Sequence, residues 1–177
     1  MRFNALRTLV MTTALLSGGG HAASTTGDLV LVAGATGRTG QQVVRELDAA
    51  GYRVRALVRD PAAARGILGD KVEYATGDVR QRPTLDAALN GVRYAISTIG
   101  ATRGDPANSP QFVDYEGVRN LAEAAAAAKL DQLVIVSSAG VTHKDHMLNR
   151  MFDNVLIWKG KGEDAVRASG EIGRAHV

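Results

Sequence analysis

The chain has 177 residues, 45% of them hydrophobic and 22% charged, which fits one soluble domain that can bury a core. It contains no cysteine, which excludes disulfides and thiolate metal sites but leaves the redox compartment open. The formal net charge of +3 falls to +1 without Arg2 and Arg7, so it gives no argument for a nucleic-acid or anionic-membrane partner.

The N-terminal residues 1–23 have the three-part pattern of a secretory signal. Arg2 and Arg7 precede a short apolar run at 8–16, and small residues then offer a cleavage position after Ala22. The run is too short to cross a bilayer comfortably. We therefore expect a signal-like leader and a periplasmic protein, or a membrane-anchored one if the leader stays uncleaved. A wrongly assigned start codon, with a cytoplasmic protein, is the alternative.

Strands and helices alternate along residues 28–170. Apolar runs predict strands at 29–33, 53–58, 72–74, 94–98 and 133–136. Helices are predicted at 41–50, from Asp60-Pro61 onward, at 85–89, at 111–129 and at 158–168. This alternation predicts the α/β class: a doubly wound parallel sheet of the Rossmann type, with strand order 3-2-1-4-5.

A glycine-rich loop, GATGRTG, joins the first predicted strand to the first predicted helix. Gly34 allows a tight turn, Gly37 lets backbone approach a pyrophosphate, and Gly40 lets the helix pack against the sheet. The free N–H groups at the helix start would then face the phosphates. An ordinary strand-to-helix turn is the alternative, but the complete strand-loop-helix-strand unit favours a dinucleotide site.

The end of the second predicted strand bears on the choice of cofactor. An acidic side chain there would bind the ribose hydroxyls of NAD, but this chain has Arg59, and Arg38 lies in the glycine loop. Two guanidinium groups suit a ribose 2′-phosphate, which indicates NADP, with NAD still possible. Asp60 precedes Pro61 and suits a helix cap. In the alternative interpretation both arginines are solvated surface residues.

Seven motifs in order resemble a known family: GATGRTG, ALVRD, GDVR, STIGA, VDYEGVRNLAEAA, VIVSSAGV and WKGKGEDAVRASG. Together they resemble the atypical short-chain dehydrogenase/reductases of the NAD(P)H-binding type, which include nitrogen-regulator-like and flavin or biliverdin reductase-like proteins. The resemblance covers about residues 29–170. It implies a further strand with an Arg-Pro element beyond Gly170, so we expect the Rossmann domain at 28–170 to be incomplete and truncated at its C-terminus.

The resemblance also implies roles for matching residues. The pyrophosphate would be lined by Gly34, Thr36, Gly37, Arg38 and Thr39, and the 2′-phosphate would be bound by Arg59. The adenine would lie between Asp78 and Val79, and the ribose side would contact Ser97, Thr98 and Ile99. The nicotinamide would lie near Ser137 and Ser138.

Catalytic members of the family use Ser, Tyr and Lys, with the tyrosine four residues before the lysine as proton donor. Ser138 and Lys159 are present, but Val155 stands four residues before Lys159. Two functions stay open: a reductase that passes hydride from NADPH to a quinone, flavin or similar acceptor, or a non-catalytic NADP(H)-binding sensor or assembly factor. The partner is accordingly a small-molecule acceptor or a protein. His143 and His146 are interpreted as solvated residues, and no metal site is expected.

The last seven residues, 171–177, have no apolar period and follow Gly170 abruptly. One back-translation of them matches a common short-read sequencing adapter when read from its second base. We therefore expect 171–177 to be a non-native tail, which should be left out of fold reasoning.

Overall fold

A computed structural model of the chain describes residues 27–170 and the backbone of 173–176. The expected leader lies outside the described residues. Within the described part, no helix combines the length and apolar character needed to cross a membrane.

Strands and helices alternate in chain order, as predicted. The strands are β1 (Leu29–Ala33), β2 (Arg53–Val58), β3 (Glu73–Thr76), β4 (Tyr94–Ser97), β5 (Gln132–Val136) and β6 (Gly173–His176). The helices are α1 (Arg38–Ala49), α2 (Pro61–Leu68), α3 (Leu85–Ala88), α4 (Val118–Ala127), α5 (Met147–Met151) and α6 (Val155–Ala168). Short 3₁₀ turns cover Arg82–Thr84 and Pro106–Asn108, and a π-helical segment, Gln111–Gly117, leads directly into α4.

All described strands pair in parallel, in the order β3-β2-β1-β4-β5-β6. This confirms the Rossmann-type sheet and the predicted order 3-2-1-4-5. The sheet differs from the prediction at one edge, because β6 pairs with β5 in the segment expected to be a tail. The four-residue β6 was missed because its residues carry no apolar alternation. The origin of that segment stays a prediction.

The sheet is covered on both faces, which explains the continuous apolar run of β1. Leu31 packs into a cluster with α3, α4 and α6, whereas Val32 packs into a second cluster with α1 and α2. Both side chains are fully buried because successive residues of a strand point to opposite faces. The central β1 therefore brings its C-terminal end, where the glycine loop begins, to the middle of the sheet edge.

The long helix predicted at 111–129 is divided. Its first turns form the π-helical segment, and Lys129 follows α4 with a positive φ of 56°. Helix α6 packs closely against this wider π turn. A Cβ on Gly162 of α6 would collide with the Asp114 carbonyl oxygen, so only glycine fits there. This packing brings α6 against the segment that carries Asp114. Such an arrangement depends on tertiary contacts, and the alanine-rich sequence alone gives no sign of it.

Candidate dinucleotide site

The glycine loop leaves β1 in a sharp turn at Gly34. Its φ is +80°, and a Cβ there would lie 2.9 Å from the carbonyl carbon of Thr98. Thr98 follows β4, and its hydroxyl shares its proton between the carbonyl oxygens of Ala33 at 3.0 Å and Gly34 at 3.1 Å. The loop is thus fixed to the end of the neighbouring strand.

The loop runs straight into α1, whose N-terminus is left without a side-chain cap at Gly37. The N–H groups of the first helical turn have no partner within the helix itself. Such groups, together with the helix dipole, favour a bound phosphate. The residues present therefore fit the pyrophosphate of a dinucleotide.

Gly40 serves the loop from below and does not line the cleft. A Cβ there would lie 2.7 Å from Ala35 Cα and 2.8 Å from the Gly34 carbonyl carbon. Real Cβ atoms essentially never approach backbone so closely, so glycine is required for α1 to pack beneath the loop. Gly40 therefore supports the cofactor loop by packing, and a direct contact of Gly40 with a cofactor stays a prediction.

A cleft of about 720 Å³ opens above the C-terminal ends of the strands. This is where open α/β sheets bind their ligands. Ten of the predicted cofactor residues share its lining: Gly34, Thr36, Gly37, Arg38, Thr39, Arg59, Asp78, Val79, Thr98 and Ile99. The structure thus gathers residues from four separate stretches of sequence around one cleft, and their individual contacts to a cofactor stay predictions.

Three arginines contribute positive charge to the cleft, two of them from the segments that follow β2 and β3. Arg38, Arg59 and Arg80 all line it. The Asp60 carboxylate accepts hydrogen bonds from the N–H groups of Ala62 at 2.9 Å and Ala63 at 3.1 Å. Asp60 is therefore the N-cap of α2, as predicted, and is held toward that helix.

Asp78 is bound by a neighbour that the sequence analysis did not single out. The Arg80 guanidinium forms an ion pair with Asp78. It holds the pKa of the Asp78 carboxyl below its usual range, against the opposing effect of burial. Thr84 fixes the backbone of Asp78 by accepting from its N–H at 2.9 Å. Asp78 is thus held at the cleft wall by its ion pair with Arg80 and its hydrogen bond to Thr84.

Three serines predicted for the site lie outside the cleft lining. Ser97 is 2% exposed within β4. The Ser137 hydroxyl is buried and has no hydrogen-bond partner among the described residues, and Ser138 is half-buried after β5. The two serines after β5 lie at the carboxyl edge of the sheet, where the nicotinamide end was predicted.

Lys159 lies on α6 and forms an ion pair with Asp114, with 2.7 Å between Nζ and Oδ1. The Asp114 side chain has no solvent exposure, and its other oxygen accepts from the Ala101 N–H at 3.2 Å. Ala101 lines the cleft, so this pair links α6 to the cleft wall. Val155, the first residue of α6, occupies the position where catalytic relatives would carry tyrosine.

Sequence reasoning missed three residues of this region, namely Arg80, Asn108 and Asp114. Arg80 lay inside the quoted GDVR motif, so a guanidinium beside a cleft aspartate was a signal that could have found it. Asp114 likewise lay inside the quoted VDYEGVRNLAEAA motif, on the π-helical segment. Asn108 reaches the cleft through folding of the loop after β4, and no local pattern marks it.

The parallel sheet, the glycine loop under an uncapped helix and the cleft above the strand ends define a Rossmann-type dinucleotide-binding protein. A family model described as NAD(P)H-binding matches residues 34–171. The chain therefore belongs to the NAD(P)H-binding family, and its resemblance to atypical short-chain dehydrogenase/reductases is confirmed.

Among relatives, pea (Pisum sativum) chloroplastic protein TIC 62 is 34% identical over 165 residues, which is 81% of this chain and 31% of TIC 62. Photosystem II assembly factor Ycf39 from Cyanophora paradoxa is 38% identical over 108 residues, 61% of this chain and 33% of Ycf39. Sanguinarine reductase from Eschscholzia californica is 28% identical and covers 80% and 65% of the two chains. The chain thus spans about a third of the length of TIC 62.

Among solved structures, a short-chain dehydrogenase/reductase superfamily protein from Agrobacterium tumefaciens with bound NAD superposes with a TM-score of 0.65. It is 27% identical, and the match covers 83% of this chain and 48% of that one. A nicotinamide dinucleotide is therefore the class of cofactor that this family and fold support.

Proposed function

We propose that this protein is an NADPH-dependent oxidoreductase that reduces a quinone, a flavin or a similar acceptor. A bound nicotinamide cofactor would supply the hydride. The chain's residues would bind the cofactor phosphates, orient its ribose and nicotinamide ends and leave room for the acceptor beside the serines after β5.

The observation that carries the proposal is the arginine cluster at the end of β2. Arg59 stands where an NAD-specific protein would place a carboxylate, and Arg38 lines the same cleft. Arg80 also lines the cleft but is paired with Asp78. Asp60, the nearest candidate for a hydroxyl-binding carboxylate, is engaged as the cap of α2. A 2′-phosphate would find the Arg59 guanidinium there, which can bind it through charge-assisted hydrogen bonds.

The class of acceptor follows from the absent tyrosine. Val155 offers no proton, and the Lys159 ammonium is paired with buried Asp114. A carbonyl acceptor needs a proton placed on its oxygen, whereas a quinone or flavin can take one from water after accepting the hydride. The similar sanguinarine reductase is named as a reductase, which agrees with the proposed activity.

Titrations of the purified full chain with NADPH and NADH test the cofactor. We expect Arg59→Ala to weaken NADPH binding about tenfold, as for the loss of one charge-assisted contact, and to weaken NADH binding less than about twofold. Arg45→Ala is the matched control, since Arg45 is an exposed arginine of α1 outside the cleft lining. Equal affinity for the two cofactors in the wild type would contradict the NADPH preference.

Loss of nicotinamide absorbance with a panel of quinones and flavins tests the activity. We expect turnover with at least one of them and weaker turnover with simple carbonyl compounds. NADPH binding without turnover of any acceptor would instead support the alternative described next.

The alternative is a non-catalytic NADP(H)-binding sensor or assembly factor. Val155 at the tyrosine position favours it, because valine cannot donate a proton. The similar protein Ycf39 is named as an assembly factor. In this case the bound cofactor would alter the affinity for a protein partner, which a pull-down with and without NADPH would reveal.

We also infer that residues 1–23 direct the protein to a membrane or across it. The positive start, the apolar run and the small residues before Ala23 support this, and the similar TIC 62 is named as chloroplastic. Fractionation of a tagged full chain tests it. Recovery of mature protein trimmed after Ala22 in an exported fraction would count against an NADPH reductase of the cytosol, and an untrimmed protein in the cytosol would refute the leader.

A further inference from the structure

The loop after β4 folds over the arginine-rich end of the cleft. Two guanidinium groups hold adjacent residues of its 3₁₀ turn: Arg80 donates to the Ala107 carbonyl at 2.7 Å, and Arg59 donates to Asn108 Oδ1 at 3.2 Å. These arginines follow β3 and β2, whereas the turn belongs to the β4 connection. The residue proposed for the 2′-phosphate is therefore already oriented by a side chain from another part of the fold.

The Asn108 amide is itself held in one orientation. Its nitrogen donates to the Asp105 carboxylate, which also accepts from the Ala107 N–H at 3.0 Å. Asn108 is tied through its backbone as well, since its N–H donates to the Asp105 carbonyl and its carbonyl accepts from Thr102 N–H at 3.1 Å. Because the amide nitrogen faces a carboxylate, the amide oxygen must face Arg59.

We propose that Asn108 is the positioning residue that sets the preference for NADP(H) over NAD(H), an inference that rests on the proposed function. Arg59 is exposed and would otherwise sample many rotamers. One of its five N–H donors is used by Asn108, which leaves the other donors for a phosphate. Asn108 thereby lowers the loss of side-chain freedom on binding.

The neutrality of Asn108 is central to this role. An amide oxygen orients the guanidinium and leaves its positive charge available to the 2′-phosphate. A carboxylate at the same place would form an ion pair with Arg59 and offset the positive charge that Arg59 presents to the phosphate. NADH carries no 2′-phosphate, so its affinity should depend little on the charge at position 108.

Three variants test the inference by titration with NADPH and NADH. Asn108→Asp should lower the affinity for NADPH by about tenfold or more and leave the affinity for NADH within about twofold of the wild type. Asn108→Ala should lower the affinity for NADPH by a smaller factor, about threefold. Asn90→Asp makes the same charge change at an exposed turn outside the cleft and should alter neither affinity. Thermal melts of each variant check the fold.

A double-mutant cycle separates positioning from a general effect on the loop. If Asn108 acts through Arg59, Asn108→Asp should weaken NADPH far less in the Arg59→Ala background than in the wild type. An unchanged NADPH to NADH ratio in Asn108→Asp, or an undiminished effect without Arg59, would overturn the inference. A wild type that shows no NADPH preference would overturn the proposed function first, and this inference with it.

Discussion

Replacement of Gly40 by alanine tests whether the packing beneath the glycine loop is required. The added Cβ would lie 2.7 Å from Ala35 Cα and 2.8 Å from the Gly34 carbonyl carbon, and both atoms belong to backbone. Backbone cannot swing aside as the end of a side chain can. Either α1 moves away from the sheet or the loop opens, and each change distorts the phosphate-binding part of the cleft.

The magnitude follows from two opposing effects. Overpacking at a rigid site costs about 1–3 kcal/mol, and removal of a glycine from a helix returns about 0.5–1 kcal/mol. Because the obstructing atoms are backbone, we expect the upper part of the first range and a net loss of about 2 kcal/mol in the free energy of unfolding. Gly66→Ala is the control, because this glycine lies in α2 with nothing within 4 Å of an added Cβ. It should gain about 0.5–1 kcal/mol.

Urea unfolding and NADPH titration measure the two consequences. We expect Gly40→Ala to lower the urea midpoint and to weaken NADPH at temperatures where the protein is still folded, and Gly66→Ala to raise the midpoint with unchanged affinity. A Gly40→Ala protein as stable as the wild type and with the same NADPH affinity would refute the packing argument.

Two further predictions concern ion pairs. Because Arg80 lowers the pKa of Asp78, their pair stabilises the fold above about pH 4 and this stability is lost as the pH falls through the lowered pKa. Arg80→Leu should therefore unfold at lower urea than the wild type at pH 7, and the difference between the two midpoints should narrow in acid. A difference that stays constant as the pH falls would contradict this. Lys159→Met leaves the buried Asp114 carboxyl without its ion-pair partner and should cost about 3 kcal/mol in the free energy of unfolding, whereas adding Asp114→Asn should recover part of it. Urea midpoints measure both effects, and a double variant no more stable than Lys159→Met would contradict the cost assigned to the unpaired Asp114 carboxyl.

Much of the fold could be predicted because its signals are local. The apolar run of β1 ends in glycines, β2 was predicted with its observed bounds, and Asp60-Pro61 marks the start of α2. Each of these depends on residues within one or two turns of each other. The strand order then follows from the alternation of elements and the handedness of crossovers.

The parts that were missed depend on distant contacts. Arg59 meets Asn108 across 49 residues, and Arg80 meets Ala107 across 27. No periodicity or spacing reports such pairs, since they arise only when parallel strands bring their carboxyl ends to one edge. The start of α6 at Val155 was also missed, because it follows Asn154 in a left-handed conformation with φ of 58°.

The Thr98 hydroxyl, which holds the Ala33 and Gly34 carbonyls, also has a consequence for dynamics. Opening the loop would require this bond to break beside β1, which is buried along its whole length. The amide proton of Thr98, which is donated to the Ala33 carbonyl, should therefore exchange with solvent about as slowly as those of β1, even without ligand. A loop already held in its final shape loses little freedom when phosphates arrive, so association should be fast and should show no separate slow ordering step.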